Sequence, residues 1–268
     1  MNDNNEAILI AAFGTTVAAA REAYVRFDQA VRERFKNVKT RWAYTSRHVR
    51  EKLARQGIYS ESVSEALAVL TKDGCRKITV LPLQVIPGVE YDIIMKETAS
   101  FLNTNKVEGV SVAVGRPLLS DHEDTCRVAR ALLDAAPENR DKESDALIFM
   151  GHGSAHHESD FLYAALAAFL RDFDRLAILG TVEGELTLDD VVGECLKEGC
   201  KRAWLIPFMA VAGDHAINDM AGDDEDSWKS VLEKAEIKCE PILRGILDYP
   251  EIRDIWLDHL AAAAYKLG

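Results

Sequence analysis

The sequence predicts an α/β protein of two similar lobes, each a four-stranded parallel sheet flanked by helices, related by internal duplication with a cleft between them. Three observations predict it. Lys72-Asp73-Gly74-Cys75-Arg76-Lys77 and the run after it to Glu90 match Lys197-Glu198-Gly199-Cys200-Lys201-Arg202 through His215 without a gap, and pairing Pro82 with Pro207 sets the offset at 125 residues. Ala203 to Val211 is continuously apolar rather than alternating, the pattern of a strand covered on both faces of a parallel sheet. Each half then reads β-α-β-α-β-α-β-α, which right-handed crossovers convert into a parallel sheet. A chain of 268 residues accommodates two such domains.

In the first half, Ala7 to Phe13 is a short apolar strand ended by Gly14-Thr15-Thr16, with Thr16 placed to cap the next helix. Ala20, Ala23, Tyr24, Phe27 and Val31 then recur at helical spacing. Thr40 to Thr45 is the second strand, closed by Ser46, and Arg47-His48-Val49-Arg50 opens a basic helical turn. Ser62 and Glu65 form a capping box for a helix to Lys72. Lys77 to Val85 is the third strand, Glu90 to Leu102 a helix and Gly109 to Val114 the fourth strand. Gly115-Arg116-Pro117 leaves it, and Ser120 with Glu123 caps a helix to Ala136. The polar stretch Pro137 to Ser144 is the seam, which assigns 1–136 to the first lobe and 137–249 to the second, with the final helix, 250–268, packing back on the first.

The second half repeats the order. Ala146 to Met150 is a strand ended by Gly151-His152-Gly153-Ser154, and aligning Gly14 with Gly151 sets Thr15 opposite His152. Phe161, Leu162, Leu166 and Leu170 mark a helix, and Arg175 to Gly180 a strand ended by Thr181-Val182-Glu183. Leu188 to Leu196 is helical. The apolar strand Ala203 to Val211 follows, broken by Gly213 so that Asp214 and His215 stand at its carboxyl end. Residues 223–235 read as a helix, Lys238 to Leu243 as the last strand, and Tyr249-Pro250 opens the final helix.

Composition narrows the function. Apolar content of 48% with 28% charge is that of an ordinary soluble protein. A net charge of −12 without a basic run argues against nucleic-acid binding. Five cysteines, an odd number with no Cys-x-x-Cys, read as reduced thiols and point to the cytoplasm. The start of the chain lacks signal-peptide character, and no apolar stretch is long enough to span a bilayer. Neither a Gly-x-Gly-x-x-Gly nor a Walker loop is present, so no nucleotide is expected.

His152, Glu183 and His215 leave three strands at the carboxyl edge of one sheet, where ligands of open α/β sheets bind. Two imidazoles and a carboxylate with open positions suit a first-row divalent ion such as cobalt, iron, nickel or zinc. Asp214, beside His215, is placed to orient it. Glu90, repeat-equivalent to His215, offers a second carboxylate. His156 and His157 follow the first site histidine and read as surface residues; the acids Asp223 to Asp226 read as a helix N-terminus. Arg47, Arg50 and Arg116 leave first-lobe strands and are the cations available to an anionic substrate.

Several stretches carry a resemblance to a known family. They are Ala12-Phe13-Gly14-Thr15, Val85-Ile86-Pro87-Gly88-Val89-Glu90-Tyr91, Phe149-Met150-Gly151-His152-Gly153 with His156-His157, and Pro207 to Met220 with Asp223-Asp224 and Asp226-Ser227-Trp228-Lys229. Over nearly its whole length the chain resembles the anaerobic sirohydrochlorin cobaltochelatases, the CbiK type of class II chelatases. Pro87 and Val89 depart from the polar residues common there and leave Glu90 unaffected. The resemblance implies insertion of Co²⁺, a substrate metal, into sirohydrochlorin without ATP or an organic cofactor, as a homo-oligomer with no nucleic-acid or membrane partner. It makes His152, Glu183 and His215 the metal set and His152 and Glu90 the catalytic residues, His152 accepting pyrrole protons and Glu90, the family's cleft carboxylate, relaying protons or helping to guide the ion. Gly14, Thr15, Arg47 and Arg116 are the substrate contacts. Insertion displaces two pyrrole protons, so a base near neutral pKa is needed, and an imidazole supplies one. Three alternatives stay open: Fe²⁺ or Ni²⁺ as the metal, a carrier of tetrapyrrole or metal without turnover, and a zinc hydrolase using the same three ligands.

Overall fold

The computed structural model describes residues 5–105, 108–155 and 157–268. The chain divides into unit 1, Met1–Ser120 with Asp254–Gly268, and unit 2, Asp121–Arg253. Unit 1 contains β1 (Glu6–Ala12), α1 (Ala18–Arg34), β2 (Lys39–Tyr44), α2 (Arg47–Arg55), α3 (Val63–Lys72), β3 (Lys77–Pro82), α4 (Val89–Asn105) and β4 (Ser111–Val114). Unit 2 contains α5 (His122–Asp134), β5 (Asp145–Gly151), α6 (Phe161–Phe173), β6 (Ala177–Thr181), α7 (Leu188–Glu198), β7 (Arg202–Phe208), α8 (Trp228–Lys234) and β8 (Lys238–Pro241). The last helix, α9 (Pro250–Tyr265), belongs to unit 1 from Asp254 onward.

Both sheets are parallel, in the orders β2-β1-β3-β4 and β6-β5-β7-β8, so the duplicated sequence folds into duplicated topology. In unit 2, Gly151 pairs with Thr181 on one side and with Phe208 on the other. The exits of β6, β5 and β7 are therefore neighbours. Strand β5 is buried along its whole length, as its unbroken apolar run requires. Ile148, Met150, Leu205 and Trp228 form the centre of one core in unit 2, and Leu9, Leu67, Val80 and Phe101 one in unit 1.

Local chemistry departs from the sequence reading at several ends. Val17, not Thr16, is the N-cap of α1 and supplies no side-chain cap, while the Thr15 hydroxyl accepts from the Val17 N–H at 3.2 Å. Asp121, not Ser120, caps α5 by accepting from the Asp124 N–H at 2.9 Å, while the Ser120 hydroxyl turns back to the Pro117 carbonyl. The capping box of Ser62 and Glu65 is present. The helix expected over 223–235 begins only at Trp228, capped by Ser227, which leaves Asp223 to Asp226 in an irregular turn. Strands β3 and β7 stop at Pro82 and Phe208, short of Val85 and Val211. Helix α5 packs on α6 and so lies in unit 2, ahead of the seam placed at 137.

The segment linking α5 to β5 is fastened by a buried ion pair. The Arg140 guanidinium, 2% exposed, forks onto the Asp174 carboxylate at 2.5 and 3.2 Å and donates to the Asp145 carbonyl at 2.9 Å. Burial pushes the Asp174 carboxyl up, but the Arg140 fork and the Leu176 N–H outweigh it and hold the group below its usual range. Replacing Asp174 by Ala leaves a buried guanidinium unpaired, which we expect to cost about 3 kcal/mol in urea denaturation at pH 7. A depressed folded-state pKa contributes stability above the ordinary carboxylate value and loses it as pH falls through the folded one. The gap between wild type and Asp174→Ala should therefore narrow at pH 3, and an equal gap at both pH values would contradict this.

Candidate metal centre

The site is built where β5, β6 and β7 end side by side in unit 2. Parallel pairing continues past the strands: Val182 N–H donates to the Gly151 carbonyl at 3.0 Å and Glu183 N–H to the His152 carbonyl at 2.8 Å. His152 and Glu183 are thus locked backbone to backbone. Asp160, buried at the head of α6, ties the same two loops by accepting from the N–H of Ser154 at 2.7 Å and of Glu185 at 3.0 Å. The loops pass so closely that side chains are excluded. A Cβ at Gly153, where φ is +81°, would stand 2.5 Å from the Gly184 nitrogen, and one at Gly151 would stand 2.6 Å from the Tyr163 ring. Burial pushes the Tyr163 hydroxyl well above the usual phenol range, against hydrogen bonding from the backbone of Gly153 and His152. It stays a neutral support under the loop.

His152 and His215 meet with ring centroids 4.9 Å apart and planes at 83°. His152 Nδ1 lies 3.0 Å from the Gly153 carbonyl, which only accepts, so this nitrogen carries the proton. His215 Nδ1 bonds the Asp219 carboxylate, also only an acceptor when ionised. Both Nε2 lone pairs are left for a ligand. Two imidazoles sharing one tetrahedral ion through nitrogens at about 2.1 Å place their centroids roughly 5 Å apart, the spacing found here.

Glu183 lines a cavity of about 470 Å³ together with His215, Asn218, Asp219, Asp224 and Asp226. Among the described residues no three His, Cys, Asp or Glu side chains converge closely enough to hold an ion. The histidine pair is assembled, and Glu183 stands in the neighbouring wall. Asp214 does not orient His215; it accepts from Asn218 Nδ2 at 3.1 Å, and Asp219 occupies the orienting position. A carboxylate four residues after a histidine in a helical turn is a signal legible from spacing alone. His157 caps the short turn Glu158–Asp160 through the Ser159 N–H. His156 lies outside the described residues.

In unit 1, Glu90 is the second residue of α4 and accepts from the buried Thr45 hydroxyl at 2.5 Å. Gly14 adopts φ +97°, and a Cβ there would stand 2.8 Å from the Tyr44 ring; Thr15 is buried beside it. Arg47 is 85% exposed and pairs with Glu51 at 2.7 Å, an interaction too weak in water to immobilise it. Arg50 is committed to the carbonyls of Tyr44 and Thr45, the latter at 2.9 Å. Arg116 Nη2 lies 3.1 Å from Nε2 of the buried His259, whose Nδ1 reaches the Arg116 carbonyl at 3.3 Å. Asp160, Asp219, Thr45 and His259 are supports that a reading of strand exits alone overlooks.

A family model described as cobalt chelatase (CbiK) matches residues 6–265. The chain is 41% identical over 261 residues, 97% of itself and 91% of its relative, to the sirohydrochlorin cobaltochelatase CbiKC of Nitratidesulfovibrio vulgaris strain Hildenborough. It is 35% identical over 222 residues, 82% of itself and 81% of its relative, to a sirohydrochlorin cobaltochelatase of Salmonella typhimurium strain LT2. The fold matches that of SirB from Bacillus subtilis with Fe³⁺ at a TM-score of 0.67 and 15% identity, covering 97% of this chain and 95% of that one.

Gly153→Ala should strain the left-handed backbone and collide with the Gly184 backbone, lowering stability by about 2 kcal/mol or more and weakening Co²⁺ binding. Gly193→Ala, in α7 with open space around its Cβ, should be neutral or stabilising by up to about 1 kcal/mol. Thermal melts with Co²⁺ titrations check both, and two variants behaving alike would contradict the loop argument.

Proposed function

Because the chain belongs to the CbiK family of cobalt chelatases, we propose that it inserts Co²⁺ into sirohydrochlorin without a nucleotide or organic cofactor, both metal and tetrapyrrole being substrates. The observation that carries the mechanism is the histidine pair, each ring with its Nδ1 proton committed and its Nε2 lone pair available. Metallation exchanges two pyrrole N–H protons for one divalent ion. In this reading His215 and Glu183 hold the ion with His152, and His152 Nε2 then accepts a pyrrole proton as the metal moves to the macrocycle. Glu90, kept in place by Thr45, is the second proton acceptor.

Nitrogen and oxygen donors suit an ion that has to be released. Thiolates would compete for it, but the cysteines are free thiols, four of the five are buried, and burial pushes the Cys239 thiol up to about 12. The same donor chemistry accommodates Fe²⁺ and Ni²⁺, so metal choice rests on supply as well as affinity. For the carboxylates of the tetrapyrrole we assign Arg47, Arg116 and the Gly14–Thr15 turn. Free thiols support a reducing, cytoplasmic setting, and among the described residues no helix is long and apolar enough to cross a membrane. Self-association, which the family resemblance implies, belongs to the same reading and is read out by sedimentation.

Anaerobic mixing of the protein with sirohydrochlorin and Co²⁺, followed by absorbance, should show multiple turnovers. His152→Ala should lower the rate about 100-fold or more, the contribution typical of a positioned base. Turnover no faster than a protein-free blank, or an unaffected His152→Ala variant, would contradict the proposal.

A further inference from the structure

The turn carrying His215 is built from three consecutive i, i+4 pairs. Asp214 and Asn218 bond each other at 3.1 Å, His215 bonds Asp219, and Ala216 and Met220 are both fully buried in the core of unit 2. The buried pair fixes how the turn is rotated about its axis. His215 and Asp219, one position earlier in each case, consequently share the adjacent half-buried face, and both line the cavity. Ala216–Met220 is a π-helical segment, a conformation that recurs at functional sites. Gly222 closes it by donating to the Asn218 carbonyl at 3.0 Å, where a Cβ would stand 2.3 Å from that oxygen. Packing does not demand an acid at position 219, since its side chain is 45% exposed. What it does is accept from the imidazole.

We propose that Asp219 is a positioning residue for metal delivery, acting through His215. An ionised carboxylate only accepts, so it holds the proton on Nδ1, keeps Nε2 as the free donor, fixes the plane of the ring and strengthens the nitrogen toward a cation. An amide at the same place can turn its NH₂ toward Nδ1 and leave the proton on Nε2, the atom the metal needs. Neighbouring Asp214 is not placed to substitute: it lies on the exposed face of the turn, where it accepts from Asn218. The inference rests on the proposed role of His215 as a metal ligand.

The test is titration of the full chain with Co²⁺ alone, followed by steady-state chelation, in Asp219→Asn, Asp219→Ala, Asp214→Ala and His215→Ala. Asp219→Asn is nearly isosteric and retains the fold, which thermal melting verifies. Both Asp219 variants should bind Co²⁺ 10–100-fold more weakly, the usual effect of losing the partner of a ligating histidine, and raise KM for Co²⁺ while KM for the tetrapyrrole stays unchanged. Asp214→Ala should match wild type. Wild-type Co²⁺ affinity in the Asp219 variants, with affinity lost in His215→Ala, would overturn the inference alone. Parallel loss of affinity for both substrates would also overturn it, since that marks a general structural defect. Wild-type affinity in His215→Ala would overturn the metal-site reading, and the inference with it.

Discussion

Everything functional in unit 2 depends on how three parallel strands end. Strands β6, β5 and β7 lie side by side, and their chains must leave one edge within the width of a few peptide planes. Backbone pairing carried beyond the strands, the Asp160 carboxylate between the loops and glycines at Gly151, Gly153 and Gly184 make that crowding possible. A side chain at Gly153 would meet the facing β6 exit loop, one at Gly184 the Asp160 carboxylate between the loops, and one at Gly151 would strike the Tyr163 ring beneath. The rigidity is useful because a metal that must be handed on needs donors set in place beforehand, not gathered by the ion itself. In the function proposed above, rings 4.9 Å apart with both Nδ1 protons engaged would meet that need.

Duplication supplied the same scaffold twice, and the two copies have diverged in chemistry while keeping topology. Where unit 2 has His215, unit 1 has Glu90; where unit 2 has His152, unit 1 has a buried threonine, Thr15. Thr45 and Thr181 occupy equivalent strand ends, yet Thr45 donates to Glu90 whereas Thr181 donates to the Leu186 carbonyl of its own loop. Unit 2 keeps the nitrogen donors, and unit 1 keeps a supported carboxylate.

The two four-stranded parallel sheets were legible because parallel strands buried on two faces leave continuous apolar runs and each half repeats the same succession of elements, whereas the order of strands within each sheet emerges only from the fold. His152 and His215 were legible for a topological reason: exits of adjacent strands are neighbours whatever their separation in sequence. Residues acting through a second residue were harder to see. Asp214 adjoins His215 in sequence and looked like its partner, but a helical turn brings i and i+4 together and sends i−1 elsewhere, so Asp219 holds the ring. The acids from Asp223 to Asp226 suggested a helix start, yet the Ser227 hydroxyl is the better cap and the helix waits for it. Asp160 was invisible because its two backbone partners come from loops that only the folded sheet brings together.

The central claim is that one ion binds to the Nε2 atoms of His152 and His215. X-ray absorption at the cobalt edge of the anaerobic Co²⁺-loaded protein, without tetrapyrrole, tests it most directly. The account predicts two imidazole scatterers at about 2.1 Å, the rest of the shell being oxygen. A shell with one imidazole or none, or one containing sulfur, would contradict it.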